Sequence, residues 1–108
     1  GAHSAIIAVG SGSGSHGDPQ FGLTTNPGAV SYAVSKAALH ALMRKLAAEL
    51  KGSPVRVWTV DPGLTATSPG MEDFGARPIA DGAASVLAPL TREVAGDSLT
   101  RDGHDLPW

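Results

Sequence analysis

Tyr32 and Lys36 lie four residues apart in the segment SYAVSKAAL, and their types and spacing suit proton transfer. On a helix, residues at positions i and i+4 share one face, and their side chains start about 6 Å apart. A tyrosine hydroxyl releases its proton only at about pH 10, so it is a poor proton donor at neutral pH. A lysine charge about 6 Å away stabilises a phenolate by about 3 kcal/mol at an effective dielectric constant of about 20. The pair could therefore act as a charge-assisted proton donor, although a packed tyrosine beside a solvated lysine has the same spacing.

The run GSGSGSHGDP at residues 10–19 offers hydroxyl groups in a turn of the chain. Three of its glycines match the G-x-G-x-x-G pattern of dinucleotide phosphate loops, and a predicted strand precedes them. In such a loop a helix opens at the third glycine, but the residues after Gly17 are typical of a turn, and no acidic residue follows at the distance that would hold a ribose. A flexible linker is not expected, because linkers join domains and only a short strand precedes the run. We therefore interpret the run as a turn that could present a serine hydroxyl to a site.

The periodicity of apolar residues predicts an α/β fold. Apolar runs at residues 4–9 and 55–60 are typical of buried strands, and a long helical segment lies between them, from residue 28 or 29 to residue 50. Strand, helix and strand in this order indicate a β-α-β unit of a parallel sheet. The remaining predicted elements are a loop over 64–77, a helix from Pro78 to Leu90, and a short strand over 97–100 before a turn at Asp102-Gly103.

The predicted helix over 29–50 has two apolar sides, which indicate two packing partners. One side consists of alanines and the other of large residues, namely Leu39, Leu42, Met43, Leu46 and Leu50. His40 continues the stripe of Tyr32 and Lys36, and we interpret it as a packing or surface residue.

The composition excludes several classes of function. The 108 residues suffice for one domain, carry a net charge of −2 and contain eight scattered Lys and Arg residues, so a nucleic-acid-binding surface is not expected. The chain has no cysteine, and its four histidines are too dispersed for a metal site. No apolar run reaches the roughly 20 residues of a membrane span, and the first residues lack a signal-peptide pattern. We expect a cytoplasmic protein that binds neither nucleic acid, nor membranes, nor metal.

Together these features resemble the short-chain dehydrogenase/reductase family. The resemblance rests on a serine turn after a buried strand, the helix motif YAVSKAA, a strand followed by DPGLTAT, and the ending RDGHDLPW, which is similar to the tail of bacterial carbonyl-reductase-like members. It implies a partial doubly wound, Rossmann-like parallel sheet. It also implies hydride transfer between NADP or NAD, with a slight preference for NADP, and a small carbonyl or alcohol substrate.

The resemblance implies the catalytic roles of three residues. The family's serine, tyrosine and lysine match Ser11, Tyr32 and Lys36. Ser13 is the second candidate for the serine, because the distance along the chain from Ser11 to Tyr32 is longer than is common in the family. Tyr32 would donate the proton, Lys36 would assist it, and Ser11 would hold the carbonyl oxygen.

Cofactor-binding residues follow from the same resemblance. Tyr32 and Lys36 would contact the nicotinamide ribose, and Pro62, Gly63 and Thr67 match the family's P-G-x-x-x-T segment, whose threonine contacts the nicotinamide carboxamide. The loop over 64–77 corresponds to the family's substrate loop.

The sequence departs from the family in one respect: three family motifs that would lie before residue 4 are not present in it. The family's glycine-rich dinucleotide loop, its N-N-A-G strand end and its catalytic asparagine have no counterpart here. We therefore expect residues 1–108 to correspond to the C-terminal part of a Rossmann-fold oxidoreductase, as a fragment or a truncated member. The strand over 4–9 would then have an unpaired edge and apolar residues on both faces.

The sequence also supports an alternative function that is not enzymatic. The chain could be a non-catalytic remnant that acts through subunit association. In the family, the large-residue side of this helix helps to form a dimer interface. We therefore expect a homo-oligomer through the helix over 29–50, with contacts from Leu39, Leu42, Met43 and Leu46.

Overall fold

Four strands form one sheet in the structure, a computed structural model that describes residues 4–91 and 98–108. In spatial order they are β1 (Ala5–Val9), β2 (Arg56–Val60), β3 (Ser98–Arg101) and β4 (His104–Leu106). The first three strands run parallel, and β4 pairs antiparallel with β3. The α/β class and the three predicted strands are confirmed with slightly shifted ends, except that Asp97 lies outside the described residues.

Within the described ranges, two α-helices connect the parallel strands. The helix α1 (Val30–Glu49) follows β1 along the chain, and α2 (Ile79–Thr91) follows β2. Both predicted helices are confirmed, and α2 begins directly after Pro78, whose fixed backbone angle suits a helix start. Two single-turn 3-10 helices, Gly12–Gly14 and Met71–Phe74, lie in segments that were predicted as turn and loop. No helix begins at Gly17, in agreement with the rejection of a phosphate loop.

The turn at Asp102-Gly103 closes a hairpin between β3 and β4, and β4 is the strand that the sequence prediction lacked. Both turn residues have left-handed backbone angles, with φ of 54° and 79°, as the Asp-Gly pair favours in two-residue hairpin turns. The three residues of β4 are too few to show an alternating pattern. The hairpin brings the last residues of the chain beside the loop after β1, where the His16 N–H donates to the Trp108 carbonyl.

The core is centred on β2, and β1 is an exposed edge. Residues 57–60 are consecutive and all buried, so both faces of β2 are covered. Among the described strands, β1 pairs with β2 alone, and its residues Ile6 and Val9 remain 39% and 46% exposed. The expected unpaired edge with apolar side chains is therefore present in the described part of the chain.

The large residues of α1 are divided between the core and the surface. Met43 is 5% exposed, whereas Leu42 is 62% exposed, and Leu39 and Leu46 are half-buried. Met43 therefore packs within this chain, and the predicted contact of this helix with a partner subunit stays a prediction. Leu42 keeps an outward position.

The turn at residues 10–14, which we call the serine turn, packs directly on α1. A Cβ on Gly14 would lie 2.6 Å from the backbone nitrogen of Ala37, closer than any side chain tolerates. The turn therefore approaches the helix through residues that have little or no side chain at the contact.

Arg101, at the end of β3, lies between two carboxylates, and we call Asp18, Asp61 and Arg101 the ion cluster. The guanidinium is 2.5 Å from Asp61 Oδ2 and 3.1 Å from Asp18 Oδ2. Asp61 directly follows β2, and Asp18 belongs to the loop between β1 and α1. Asp61 also accepts the backbone N–H groups of Gly12, at 3.0 Å, and Gly63, at 2.7 Å. The cluster thus joins the segments that follow β1, β2 and β3.

Both carboxylates of the ion cluster are buried, with Asp18 1% and Asp61 5% exposed. Burial acts to raise the pKa of Asp18, but the N–H groups of Phe21 and Gln20 and the Arg101 charge outweigh it and hold that pKa below its usual value of 3.8. The folded protein therefore favours ionised Asp18. This stabilisation is complete above the usual value and is lost as the pH falls through the lower folded one.

Replacement of Arg101 by Met tests the ion cluster. We expect the free energy of unfolding at neutral pH to fall by about 3 kcal/mol, because two buried carboxylates lose their counter-ion. The loss should shrink in acid, where Asp18 becomes protonated. Urea unfolding at several pH values measures both effects. The matched control is Arg77→Met, which breaks the pair with Asp102, a side chain that is 46% exposed, and should cost about 1 kcal/mol or less. Equal losses in the two variants would contradict a buried cluster.

Candidate functional site

A cavity of about 290 Å³ opens at the carboxyl ends of β1 and β2. In parallel sheets this edge is where ligands bind, because the loops after the strands meet there. The wall consists of the serine turn, one residue of α1 and the segment after β2, namely residues 10–13, Phe21, Tyr32 and residues 61–65. The structure thus brings together four of the residues predicted from the sequence: Ser11, Tyr32, Pro62 and Gly63.

Ser11 is held on both its backbone and its side chain. Its N–H donates to Nε2 of His40 at 3.2 Å, and its Oγ accepts the N–H of Ser13 at 3.1 Å. Because Oγ acts as an acceptor in that bond, the hydroxyl hydrogen stays available for a group in the cavity. Ser13 also lies on the wall, so it remains the alternative serine.

Lys36 lies between Tyr32 and the end of β1. Its Nζ donates to the Val9 carbonyl at 3.0 Å and is 5.7 Å from the centre of the Tyr32 ring. An ammonium group has three hydrogens, so two remain after the bond to Val9. Tyr32 reaches the cavity with 48% of its surface exposed, whereas Lys36 is not part of the wall.

The segment after β2 presents Thr65, and not Thr67, to the cavity. The Thr65 hydroxyl donates to the Gly63 carbonyl at 3.0 Å. Thr67 is exposed, with its hydroxyl 3.7 Å from the sulfur of Met71. The sequence motif therefore points to a threonine that the structure places outside the wall, two residues beyond the one on it.

The loop over 64–77 is closed at its base and exposed at its tip. The Arg77 N–H donates to the Leu64 carbonyl, and the Ala66 N–H donates to the Arg77 carbonyl, each at 2.8 Å. Leu64 lies on the cavity wall, whereas Phe74 is 84% exposed and lies away from it.

Sequence reasoning did not assign His40, Asp61 or Arg101 to the site. His40 was expected to pack or to lie at the surface, and it is 3% exposed and bonded to Ser11. The charges of Asp61 and Arg101 each stand at the carboxyl end of a strand, which is the signal that could have identified them. Their pairing joins positions 40 residues apart, which no local pattern reveals.

Residues 4–91 and 98–108 contain no group of three or more His, Asp or Glu side chains placed to hold a metal ion. In the same ranges, no helix is long and apolar enough to cross a membrane.

Comparisons with known proteins identify one family and one similar fold. The family model described as enoyl-(acyl carrier protein) reductase matches residues 12–101. Among solved structures, the chain is similar to the candidate carbonyl reductase Sniffer of Caenorhabditis elegans, with a TM-score of 0.64 and 23% identity. That match covers 96% of this chain and 39% of the Sniffer chain, so this chain spans well under half the length of its structural relative. A search of curated proteins gives no match.

The family match covers most of the chain, and the structural match supports the same fold. The partial Rossmann-like sheet expected from the sequence agrees with both. The chain belongs to the enoyl-(acyl carrier protein) reductase family of short-chain dehydrogenases/reductases.

Proposed function

We propose that this chain is the catalytic part of an oxidoreductase that transfers a hydride between a nicotinamide cofactor and a carbonyl or alcohol carbon. One observation carries the proposal: Ser11, Tyr32 and the Pro62-Gly63 segment share the wall of one cavity, with the Lys36 ammonium behind Tyr32. These are the side chains that the family resemblance assigns to this reaction. The matched family is itself named for a reductase.

The cavity wall suits the nicotinamide end of the cofactor. Hydroxyl groups line one part of it, and the apolar side chains of Phe21 and Leu64 line another. Asp61, the acidic residue of the wall, is paired with Arg101. A flat ring with a polar edge fits such a wall, and when bound it would supply the hydride.

Residues on two elements would hold the cofactor. Pro62 and Gly63 would line its ring, and Lys36 would use its two remaining hydrogens on the ribose. Of the two threonines, Thr65 is the better placed to contact the carboxamide, because it lies on the wall while Thr67 is exposed. Either NADP or NAD would serve, and NADP is the first to test.

The proton transfer follows from the positions of three side chains. In the reductive direction, Tyr32 donates its hydroxyl proton to the carbonyl oxygen of the substrate. The Ser11 hydroxyl donates a hydrogen bond to the same oxygen and stabilises the negative charge that develops there. Lys36, fixed by the Val9 carbonyl, stabilises the phenolate that remains on Tyr32. In the oxidative direction, Tyr32 accepts the proton of the alcohol.

Tyr32→Phe tests the proton donor. We expect reduction of a carbonyl substrate to slow by about 10² to 10⁴, the usual contribution of a positioned acid. The assay uses the chain expressed with any further residues that its gene encodes, and it follows NADPH or NADH consumption. Ser31→Ala, an exposed neighbour on α1, is the control and should keep full activity. An enoyl thioester assayed in parallel separates carbonyl reduction from the activity for which the family is named. Unchanged carbonyl turnover in the Tyr32 variant would refute the proposal.

Ser11→Ala and Ser13→Ala decide between the two serines. We expect the first to lower kcat by about 10² to 10³, as the loss of one hydrogen-bond donor to a developing oxyanion does. The second should have little effect, because Ser13 contributes its backbone N–H to Ser11, and alanine keeps that group. The opposite order in steady-state kinetics would assign the role to Ser13.

A second candidate function is subunit association through α1. It is favoured by the apolar residues Val30, Val34 and Leu42, which are 70%, 59% and 62% exposed on that helix. Such exposed apolar side chains are typical of surfaces that bind another protein.

Leu42→Glu tests association. If association is the function, the chain should elute above its mass of 10.9 kDa, and the variant should shift it to the monomer, because a buried charge would oppose the contact. Ser35→Glu, a polar exposed position on α1, is the control. Calorimetric titration with NADPH and NADH should then give no heat, and submicromolar binding of either would favour the enzyme.

A further inference from the structure

We propose that His40 is a positioning residue that sets the place of Ser11, and that the C-terminal Trp108 braces its imidazole. The inference rests on the proposed role of Ser11. It assigns a function to a buried histidine and to a C-terminal residue that touch neither the proposed substrate nor the cofactor.

The bond from Ser11 determines the form of the imidazole. The Ser11 N–H donates to Nε2 of His40, so Nε2 must carry a lone pair, and the ring is neutral with its proton on Nδ1. Ser11 precedes the single-turn helix Gly12–Gly14, and its Oγ accepts the N–H of Ser13 in that turn. A shift of the Ser11 backbone would therefore move its hydroxyl within the cavity.

The chain before Ser11 is packed against the same ring. A Cβ placed on Gly10 would lie 2.5 Å from Nε2 of His40, so glycine is required for this approach. The Gly10 N–H also donates to the Val60 carbonyl at 2.7 Å. Between the end of β2 and the imidazole, this segment has little room to move.

Trp108 contacts the imidazole from the side of the tail. The two rings meet edge to face, with centres 5.7 Å apart and planes 69° apart, and the Arg44 guanidinium lies 5.2 Å above the tryptophan ring. The last two residues of the chain are held by the two residues that directly follow the serine turn. The Ser15 hydroxyl donates to the Pro107 carbonyl, and the His16 N–H donates to the Trp108 carbonyl. A continuous set of contacts therefore runs from the end of the chain to Ser11.

The surroundings of His40 favour its neutral form. Burial lowers its pKa below the usual value of 6.5, and the charges of Lys36 and His16 act in the same direction. The Gly14 backbone and the Asp61 carboxylate act in the opposite direction without reversing the shift. At neutral pH, Nε2 is therefore an acceptor. Protonation in acid would place an N–H against the Ser11 N–H and break the bond.

The kinetic test compares His40→Leu with His40→Gln in carbonyl reduction. We expect the leucine variant to lose about 10- to 100-fold in kcat, because a small misplacement of a catalytic group costs that much, with the KM for the cofactor little changed. The glutamine variant should stay within about threefold of the unmodified protein, because its amide oxygen can accept the Ser11 N–H. His104→Gln, an exposed histidine of β4, is the matched control. Trp108→Ala should fall between the two His40 variants.

Two kinetic results would overturn the inference: a leucine variant with kcat within about threefold of the unmodified protein, or a glutamine variant as slow as the leucine variant at equal melting temperature. A further readout is the pH profile. The unmodified protein should lose kcat in acid as His40 becomes protonated, and the glutamine variant should lack that inflection.

A test on the unmodified chain does not require turnover. Long-range proton–nitrogen correlation spectra at neutral pH should show His40 protonated on Nδ1 alone, and the Ser11 amide resonance should move in step with the His40 titration. A proton on Nε2, or an amide that ignores the titration, would overturn the inference. If the unmodified protein shows no turnover with any carbonyl, the proposed function fails, while these spectra still decide whether His40 holds Ser11.

Discussion

The site depends on the pairing of Arg101 with two buried carboxylates. Ions taken out of water are tolerated only when they are paired and their remaining hydrogen-bonding capacity is used. Here the carboxylates of Asp18 and Asp61 accept backbone N–H groups in addition to the guanidinium, so each charge is compensated from more than one side. The three parallel strands end at one edge, and the cluster uses this common edge to hold the segments that follow them. The cavity wall consists of the segments after β1 and β2 together with Tyr32 of α1.

Small residues allow the serine turn to pack closely against α1 and His40. The serine turn lies against α1 at Gly14 and against His40 at Gly10, where a larger residue would displace backbone or ring. The glycine and serine run at residues 10–19 is therefore a tightly packed turn. Of the three glycines that match the phosphate-loop pattern, Gly12 packs against the ion cluster, Gly14 against α1 and Gly17 against Pro107. The same packing makes a buried histidine on α1 the neighbour of the proposed catalytic serine.

The two ends of the described chain contribute differently to the site. The edge strand β1 leads directly into the serine turn, and its outer side stays exposed, as at Ile6 and Val9. The tail after β4 returns to the loop at His16 and reaches His40 through Trp108. The short hairpin of β3 and β4 thus places the last residues of the chain beside His16 and His40.

The sequence by itself determined the elements whose signals are local. Apolar runs marked β1 and β2, and helical periodicity with proline and glycine boundaries marked α1. The i, i+4 spacing placed Lys36 beside Tyr32, because helix geometry sets that distance wherever the helix lies. The motif after β2 identified the Pro62-Gly63 segment on the wall.

Only the tertiary structure decided which distant residues meet. Arg101 and Asp18 are 83 positions apart, and their pairing depends on how β3 is placed beside β2. The presence of Thr65, and not Thr67, on the cavity wall depends on how the loop leaves β2, and the burial of Met43 depends on how α1 is rotated on the sheet. The three residues of β4 are too few to show an alternating pattern in the sequence, and only their pairing with β3 identifies them as a strand. Such features are properties of packing, because burial and long-range charge pairing arise only when separate segments share one core.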